Sequence, residues 1–324
     1  MRKPKIWLLL LVLIASLFLC VTIINLFANP IPTTLSGELF NYTSCSSTGI
    51  KDLCGNCPDG TMFSGGYYSV TVEPTEFGQG FNMKNCDNNG VYIPASTAVK
   101  PSAFTLIVRM TPKSTIDVTP PKCASTLPAG WVLETFFSEP LLYQEGGDGA
   151  YSILLWANDD VQPEFQYASR TLVLFLTFQD GTGIYAYSNG QNPNGDGLIP
   201  SKPHNCVLPK TNNPVTVIVS YSKETGTTFK VKEKGKPMTS INYTLEEMWT
   251  MCNDRPGTHG TGWGDIEYRA TPIMMLNAFA YGSPTTAICG MVDPIAQQVM
   301  FNRVRSDGEI NNIIKDYDEI PQSD

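Results

Sequence analysis

Alternation of apolar and polar side chains dominates the chain beyond about residue 65. Residues 104–110 and 215–221 alternate, while 172–178 and 273–281 are long apolar runs. Alternation with a period of two is typical of strands with one buried face, and apolar runs are typical of central strands. Turns rich in Gly, Pro, Asn and Asp separate these segments, so the pattern predicts an all-β fold, an antiparallel β-sandwich.

Two short helices are predicted by capping boxes, in which a Ser or Thr and a Glu three residues later bond each other's backbone. Thr244 and Glu247 predict one or two helical turns over residues 245–251. Ser306 and Glu309 form the second box. An apolar stripe at helical spacing follows it, at Ile310, Ile313, Ile314 and Tyr317. We therefore expect a C-terminal helix that packs on the sandwich.

The N-terminus departs from the β pattern. Residues 1–5 include three basic side chains, Arg2, Lys3 and Lys5, and residues 6–27 form an uncharged apolar run. A helix of that length rises about 33 Å, enough to cross a hydrocarbon core of about 30 Å. The run exceeds a signal-peptide core of about 7–15 residues, and the large Leu26 occupies the −3 position for cleavage after Ala28. We predict an uncleaved signal anchor, with cleavage as the alternative.

The predicted topology is a single-pass type II membrane protein. Basic residues before the apolar run favour a cytoplasmic tail over residues 1–5, with the rest extracellular, lumenal or on a virion envelope. Residues 28–64 are rich in Pro, Thr, Ser, Gly and Cys and predict a juxtamembrane stalk. The sandwich is predicted over 65–317, followed by a short tail over 318–324.

Charge excludes some partners. Beyond residue 27 the chain carries 30 acidic residues and 19 basic ones, the chain's 22 less the three in the tail. This acidic balance argues against nucleic-acid binding and against docking on an anionic membrane surface. It selects no particular partner.

Cysteine usage agrees with export. Cys20 lies in the apolar run, where it is a small hydrophobe or a palmitoylation site. Eight other cysteines remain, at Cys45, Cys54, Cys57, Cys86, Cys123, Cys206, Cys252 and Cys289. An even count in an exported segment predicts four disulfides, with 105 possible connectivities. Zinc is disfavoured, because the sequence has one Cys-x-x-Cys pair and only two histidines, His204 and His259.

Two sequons predict N-glycosylation, at Asn41 (Asn-Tyr-Thr) and Asn242 (Asn-Tyr-Thr). Both lie in stretches that we expect to be surface loops, as glycosylation requires. The long loops expected at 112–130, 188–213 and 235–270 are typical of a functional face.

Three tryptophans in or beside these loops are candidate ligand-binding residues: Trp131, Trp249 and Trp263. Exposed aromatic rings stack on the CH faces of sugars, although a loop tryptophan also serves simply in packing. Both interpretations stay open from the sequence.

Several segments resemble the concanavalin A-like lectin/glucanase superfamily, in its laminin-G-like or pentraxin-like branch. "MFNRVRSDGEI" is similar to the closing strand and helix of that family. "FNMKNCDNNGVYIPAS" (81–96), "FTLIVRM" (104–110) and "VTVIVSYSKETGTTFKVKEKGKPM" (215–238) resemble earlier motifs, in the family's order. The chain departs from the pattern at Arg109 and Met110, one of which is often Trp in the family.

The resemblance implies a jelly-roll sandwich whose first and last strands are adjacent. It also implies a disulfide that ties the last strands, for which Cys252 and Cys289 are the best pair. Domains of this kind often bind calcium at a rim, and Asp159 and Asp160 are the candidate ligands. No other cofactor is implied.

The glucanase branch carries Glu-x-Asp-x-Glu on one strand, and the matching stretch here is Trp263-Gly-Asp265-Ile-Glu267. Asp265 and Glu267 would share one face of a strand. Trp263 occupies the position of the nucleophilic Glu, so we expect the protein to have no enzymatic activity. The expected function is display of a lectin-like domain that binds carbohydrate or a surface protein. The alternatives are a structural surface or viral envelope protein, and a divergent glycoside hydrolase.

Overall fold

The structure is a computed structural model. It describes residues 38–46, 49–52, 59–64, 71–82, 89–94, 100–112, 131–140, 151–160, 169–190, 202, 205–251, 260–268, 273–275 and 294–318.

Sixteen strands and two helices lie in these ranges. The strands are β1 (Glu38–Ser46), β2 (Gly49–Asp52), β3 (Gly60–Ser64), β4 (Thr71–Thr75), β5 (Gly78–Asn82), β6 (Asn89–Ile93), β7 (Phe104–Met110), β8 (Trp131–Pro140), β9 (Tyr151–Asp160), β10 (Ser169–Thr177), β11 (Gly183–Tyr187), β12 (Val215–Ser222), β13 (Gly226–Glu233), β14 (Thr239–Tyr243), β15 (Ile273–Met275) and β16 (Ile295–Phe301). The helices are α1 (Leu245–Met251) and α2 (Asp307–Asp318).

Hydrogen bonds connect the strands in one antiparallel path. Its order is β11-β10-β9-β8-β15-β6-β3-β2-β1-β16-β7-β12-β13-β14, with β5 beside β16 and β4 beside β5. The two ends of the path lie face to face. Phe178, just after β10, packs on Tyr221 of β12 with ring centroids 6.0 Å apart, and the Tyr243 hydroxyl of β14 donates to the Tyr187 carbonyl of β11 (2.5 Å). The predicted antiparallel β-sandwich is therefore confirmed.

Strand β7 is central and buried on both faces, whereas its alternation predicted one solvent-facing side. Its apolar positions face the core, at Phe104, Leu106, Val108 and Met110. The polar positions are buried because they find partners. Thr105 Oγ1 donates to the Arg303 carbonyl (3.0 Å) and accepts from the Arg305 amide (2.9 Å). The Arg109 guanidinium lies 3.8 Å from the centroid of the Phe77 ring.

The β12–β13 hairpin is confirmed as predicted. Ser222 and Gly226 pair across the turn Lys-Glu-Thr, and every residue of β12 has a partner on β13. The Ser222 hydroxyl and the Thr225 hydroxyl lie 2.8 Å apart, and Ser222 Oγ also accepts from the Thr225 amide (3.1 Å). These contacts fix the turn that leads to the site described below.

Both predicted helices are present with their caps. The Glu247 amide donates to Thr244 Oγ1 (3.2 Å), and the Thr244 amide donates to Glu247 Oε2 (2.9 Å). The Ser306 amide likewise donates to Glu309 Oε2 (2.9 Å). The apolar stripe of α2 is buried at Ile310, Ile313 and Ile314. Helix α2 belongs to a compact unit distinct from the one formed by residues 36–305, so its packing on the sandwich stays a prediction.

The sandwich begins earlier than the sequence indicated. Strands β1, β2 and β3 lie within the stretch 28–64 that was expected to be a stalk, and β1 pairs with β16 along residues 38–43. The adjacency of first and last strands that the resemblance implied is thus confirmed. The boundary expected near residue 65 is wrong, because the partner of β1 lies some 260 residues further along the chain.

The predicted membrane anchor over residues 6–27 lies outside the described residues. Within the part of the chain that the structure describes, no helix is long and apolar enough to span a membrane.

Candidate functional site

Two of the three candidate tryptophans meet at one edge of the sandwich. Trp249 lies on α1, and Trp263 lies in the segment 260–268. Their rings form a T-shaped pair, with centroids 5.4 Å apart and planes at 88°. Both side chains are partly exposed and pack against the core. We call this pair, with segment 260–268, α1 and the β12–β13 turn, the tryptophan corner.

Segment 260–268 is held as a short extra strand beside the end of β10. The Gln179 amide donates to the Asp265 carbonyl (2.8 Å), and the Glu267 amide donates to the Thr177 carbonyl (2.8 Å). These two bonds flank an antiparallel bridge between Phe178 and Ile266. Backbone pairing therefore fixes the position of the residues just after Trp263.

Two side chains reinforce that attachment. Asp180 accepts from the Thr182 amide at Oδ1 (3.0 Å) and from the Gly260 amide at Oδ2 (3.1 Å), which joins the turn after β10 to the segment. The buried Tyr221 hydroxyl donates to the Gly264 carbonyl (2.6 Å). Burial raises the pKa of Tyr221 far above its ordinary value, so the hydroxyl stays protonated and remains a donor.

A ladder of aromatic rings connects the core to the corner. Phe104, Tyr221 and Phe178 are fully buried, with neighbouring centroids 6.1 and 6.0 Å apart. Phe178 then meets Trp263 edge to face at 5.0 Å, and Trp263 meets Trp249. Such edge-to-face contacts stabilise aromatic pairs by about 0.5–1.5 kcal/mol beyond area burial. The two partly exposed rings are thus backed by rigid core.

Helix α1 carries Trp249 and is anchored on its opposite face by buried Met248 and Met251. Lys202 Nζ contacts Glu247 Oε1 (2.9 Å) and donates to the Asn242 carbonyl (2.8 Å). Burial pushes the pKa of Glu247 up, but bonds from the Thr244 amide and Lys202 outweigh it and hold the pKa below its ordinary value. The carboxylate is therefore ionised and caps the helix.

Charged groups border the two rings. Lys223 on the β12–β13 turn pairs with Asp265 (2.7 Å), and the two side chains are 45% and 42% exposed. Glu224 and Glu246 are exposed. Partly exposed rings bordered by carboxylates and ammonium groups suit a polyhydroxylated ligand, which needs both flat apolar contact and hydrogen-bond partners.

The two carboxylates considered for hydrolysis share one side of segment 260–268, as predicted. Asp265 and Glu267 flank Ile266, whose side chain is buried. Successive residues of an extended segment point to opposite sides, so both carboxylates lie on the side away from the core. Lys223 engages Asp265, which assigns that carboxylate to an ion pair.

The other candidate residues lie in strands, although the sequence placed them in loops. Trp131 begins β8 and is the backbone partner of Asp160, while Asp159 pairs with Val132. Asn and Asp are residue types typical of turns, but regular backbone pairing from Trp131 to Thr135 makes this end of β9 part of a strand. Their side chains lie outside the described residues, and no cluster suited to a metal ion occurs among the residues that are described.

The two sequon asparagines are also in strands. Asn41 lies in β1 between β16 and β2, and Asn242 lies in β14, where it is exposed. The expectation that both sequons occupy loops is therefore wrong, because Asn41 pairs with Val299 of the distant β16 and Asn242 pairs with Thr228 of the neighbouring β13.

Cys206 corrects the disulfide prediction. It is a free thiol, fully buried against β13 and β14, and its Sγ lies 3.6 Å from the Phe229 carbonyl. Burial raises the pKa of this thiol to about 11. Cys45 lies in β1, but its side chain is outside the described residues. Six cysteines lie wholly outside them: Cys54, Cys57, Cys86, Cys123, Cys252 and Cys289. Beyond the apolar run seven cysteines remain, an odd number that cannot all pair within one chain.

Sequence reasoning missed Tyr221, Asp180 and Lys223, which position the corner. The glycine-rich stretch Gly260-Thr-Gly262-Trp-Gly264 was the available signal. A methyl group added at Gly264 would lie 2.8 Å from Cγ of Lys223 and 3.0 Å from a methyl carbon of Leu245, so this backbone needs the absence of a side chain.

Neither family models nor curated proteins give a match for this chain. Among solved structures, it is similar to the binding domain of Paraclostridial Mosquitocidal Protein 1 (TM-score 0.48, 11% identity, covering 87% of this chain and 53% of that one). It is also similar to Trypanosoma rangeli sialidase (TM-score 0.44, 14% identity, covering 92% of this chain and 37% of that one). A third similar structure is the binding domain of botulinum neurotoxin serotype G (TM-score 0.47, 11% identity, covering 87% of this chain and 51% of that one). The chain spans about half or less of these structures' length, and we draw nothing about function from likeness at this level.

Proposed function

We propose that this protein is a lectin-like binding protein, without enzymatic activity, that takes carbohydrate at the tryptophan corner. The observation that carries the proposal is the pair Trp249 and Trp263, partly exposed and backed by a buried aromatic ladder. Rings that are already fixed lose little conformational freedom on binding, so their contact area contributes to affinity with little entropic cost.

The polar border supports the same conclusion. Sugar hydroxyls donate to carboxylates and accept from ammonium groups. Asp265 supplies the carboxylate and Lys223 the ammonium group, and their side chains are 42% and 45% exposed. Hydrolysis would instead require two carboxylates in acid and nucleophile roles. The engagement of Asp265 by Lys223 favours recognition over turnover.

Further parts of the proposal concern the rest of the molecule. We include a concanavalin A-like jelly roll, a type II anchor over residues 6–27 and display at an extracellular, lumenal or virion surface. Calcium at Asp159 and Asp160, a Cys252–Cys289 disulfide and glycans on Asn41 and Asn242 belong to it as well. A surface-protein ligand or a purely structural role are the competing functions, and the experiment below separates them.

The test is a glycan array probed with the full-length protein in detergent, first with calcium and then with chelator. We expect selective binding that falls at least tenfold in Trp249→Ala, because a lost stacking contact and its buried area correspond to about 1.5 kcal/mol. Trp249→Phe should retain part of the affinity.

Phe77→Ala is the matched control, since it removes a partly exposed ring that packs against the buried Arg109, outside the corner. It should leave glycan binding unchanged. A folded protein that binds no glycan would overturn the proposal and direct attention to protein partners. Unchanged glycan affinity in Trp249→Ala would move the site elsewhere on the sandwich.

A further inference from the structure

The charges of the tryptophan corner bear on which sugars it accepts. The described residues of α1, segment 260–268 and the β12–β13 turn carry five carboxylates, on Glu224, Glu246, Glu247, Asp265 and Glu267. Two described lysines contact them, Lys223 and Lys202. Five carboxylates therefore face two cations, a net charge of −3 among the described residues of the corner.

The described lysines of the corner are already engaged. Lys223 Nζ lies 2.7 Å from Asp265 Oδ2. Lys202 Nζ contacts Glu247 Oε1 at 2.9 Å and the Asn242 carbonyl at 2.8 Å. A ligand carboxylate that approached Lys223 would also approach the Asp265 carboxylate, and it would enter a net negative potential while doing so.

A neutral sugar meets no such obstacle. Its hydroxyl groups donate to the Asp265 carboxylate, which is 42% exposed, without disturbing the ion pair to Lys223. Its CH face stacks on the exposed ring surface of Trp249 or Trp263. The corner therefore offers acceptors for hydroxyl donors together with an apolar platform.

We propose that the tryptophan corner selects uncharged sugars and discriminates against acidic ones. This inference rests on the proposed carbohydrate site and specifies its ligand class. One ligand charge facing a net charge of −3 should weaken binding about tenfold at low ionic strength and about twofold in 0.5 M salt.

The experiment compares matched ligands on the full-length protein. Each acidic glycan is measured beside its neutral parent and beside its methyl ester, which keeps the shape but removes the charge. Sialyllactose, lactose and the sialyllactose methyl ester form one such set. We expect the neutral parent and the ester to bind alike, the acid to bind about tenfold more weakly at 20 mM salt, and the difference to shrink at 500 mM.

Charge variants test the cause. The double variant Glu224→Gln/Glu246→Gln should lower the ratio of the affinity for the neutral glycan to the affinity for the acidic glycan severalfold. Glu73→Gln/Glu76→Gln is the matched control, since it also removes two carboxylates. Glu76 contacts Lys234 beyond the end of β13 that lies opposite the turn, about 25 Å from the corner. This control should leave the ratio unchanged.

The outcomes are distinct. Equal or tighter binding of the acidic ligands would overturn the inference while leaving the carbohydrate site standing. A ratio that moves equally in both double variants would also overturn it, because global charge would then be the cause. Absence of binding to every glycan would overturn the proposed function, and the inference with it.

Discussion

Replacing Gly226 by alanine should damage the fold and the candidate site together. Gly226 begins β13 with φ +72°, a conformation that side chains rarely adopt. A Cβ there would lie 1.9 Å from the Tyr243 carbonyl oxygen and 2.9 Å from Cα of Thr244. Both neighbours are backbone atoms, so the clash cannot be relieved by turning a flexible side chain.

The expected cost has three parts. Left-handed backbone in alanine costs about 1 kcal/mol, and forcing apart two paired backbones adds about 1–3 kcal/mol. Displacing Tyr243 also disturbs Thr244, whose cap of α1 contributes about 1 kcal/mol. We therefore expect Gly226→Ala to lower the free energy of unfolding by about 4 kcal/mol.

Gly235 supplies the control. It has φ +77°, but a Cβ there would meet nothing within 4 Å. Gly235→Ala should cost only the backbone term, about 1 kcal/mol. Urea unfolding of the two full-length variants, followed by circular dichroism, measures the difference. Equal destabilisation within about 0.5 kcal/mol would refute the close-approach argument, whereas misfolding of the Gly226 variant alone would agree with it.

Three further predictions concern single side chains. Cys206 should resist alkylation by iodoacetamide at pH 8 in the folded protein and react on unfolding, because burial raises its pKa to about 11. Alkylation of Cys206 in the folded protein would contradict this, and so would a peptide map that finds Cys206 in a disulfide. Burial pushes the pKa of Glu233 up, but bonds from Lys236 and Asn213 outweigh it and leave the pKa low. Its contribution to stability is therefore present above the ordinary Glu pKa and is lost as pH falls through the lower folded pKa. Unfolding free energies measured from pH 7 down to pH 3 should show this loss in the unmodified protein, and Glu233→Gln should lack it. Tyr221→Phe leaves the buried Gly264 carbonyl without its donor, so the free energy of unfolding should fall by about 1–2 kcal/mol. Glycan affinity should fall as well, and an unchanged affinity would show that this hydrogen bond does not position the binding site.

Features set by neighbouring residues could be predicted from the sequence. The capping pairs Thr244–Glu247 and Ser306–Glu309 and the β12–β13 turn depend on contacts within a few positions. Each has a characteristic residue pattern, so the pattern alone was sufficient. The sandwich class followed from alternation in the same way.

Long-range pairing explains what the sequence could not show. The stretch 28–64 lacks periodicity, yet β1 is stable there because β16 supplies its hydrogen bonds. Alternation in β7 indicated one exposed face, but Arg109 and Thr105 are buried beneath groups from other parts of the chain. Nothing local indicates which distant segment will cover a polar position.

The tryptophan corner shows the same limit, and it links stability to binding. A seven-residue helix such as α1 is too short to persist alone, so its order depends on the burial of Met248 and Met251. Trp249 is therefore positioned by the core, and Trp263 by the Tyr221 bond and the bridge at Phe178. Changes beneath the rings should lower stability and affinity in parallel, whereas changes to the charged border should alter specificity with stability unchanged.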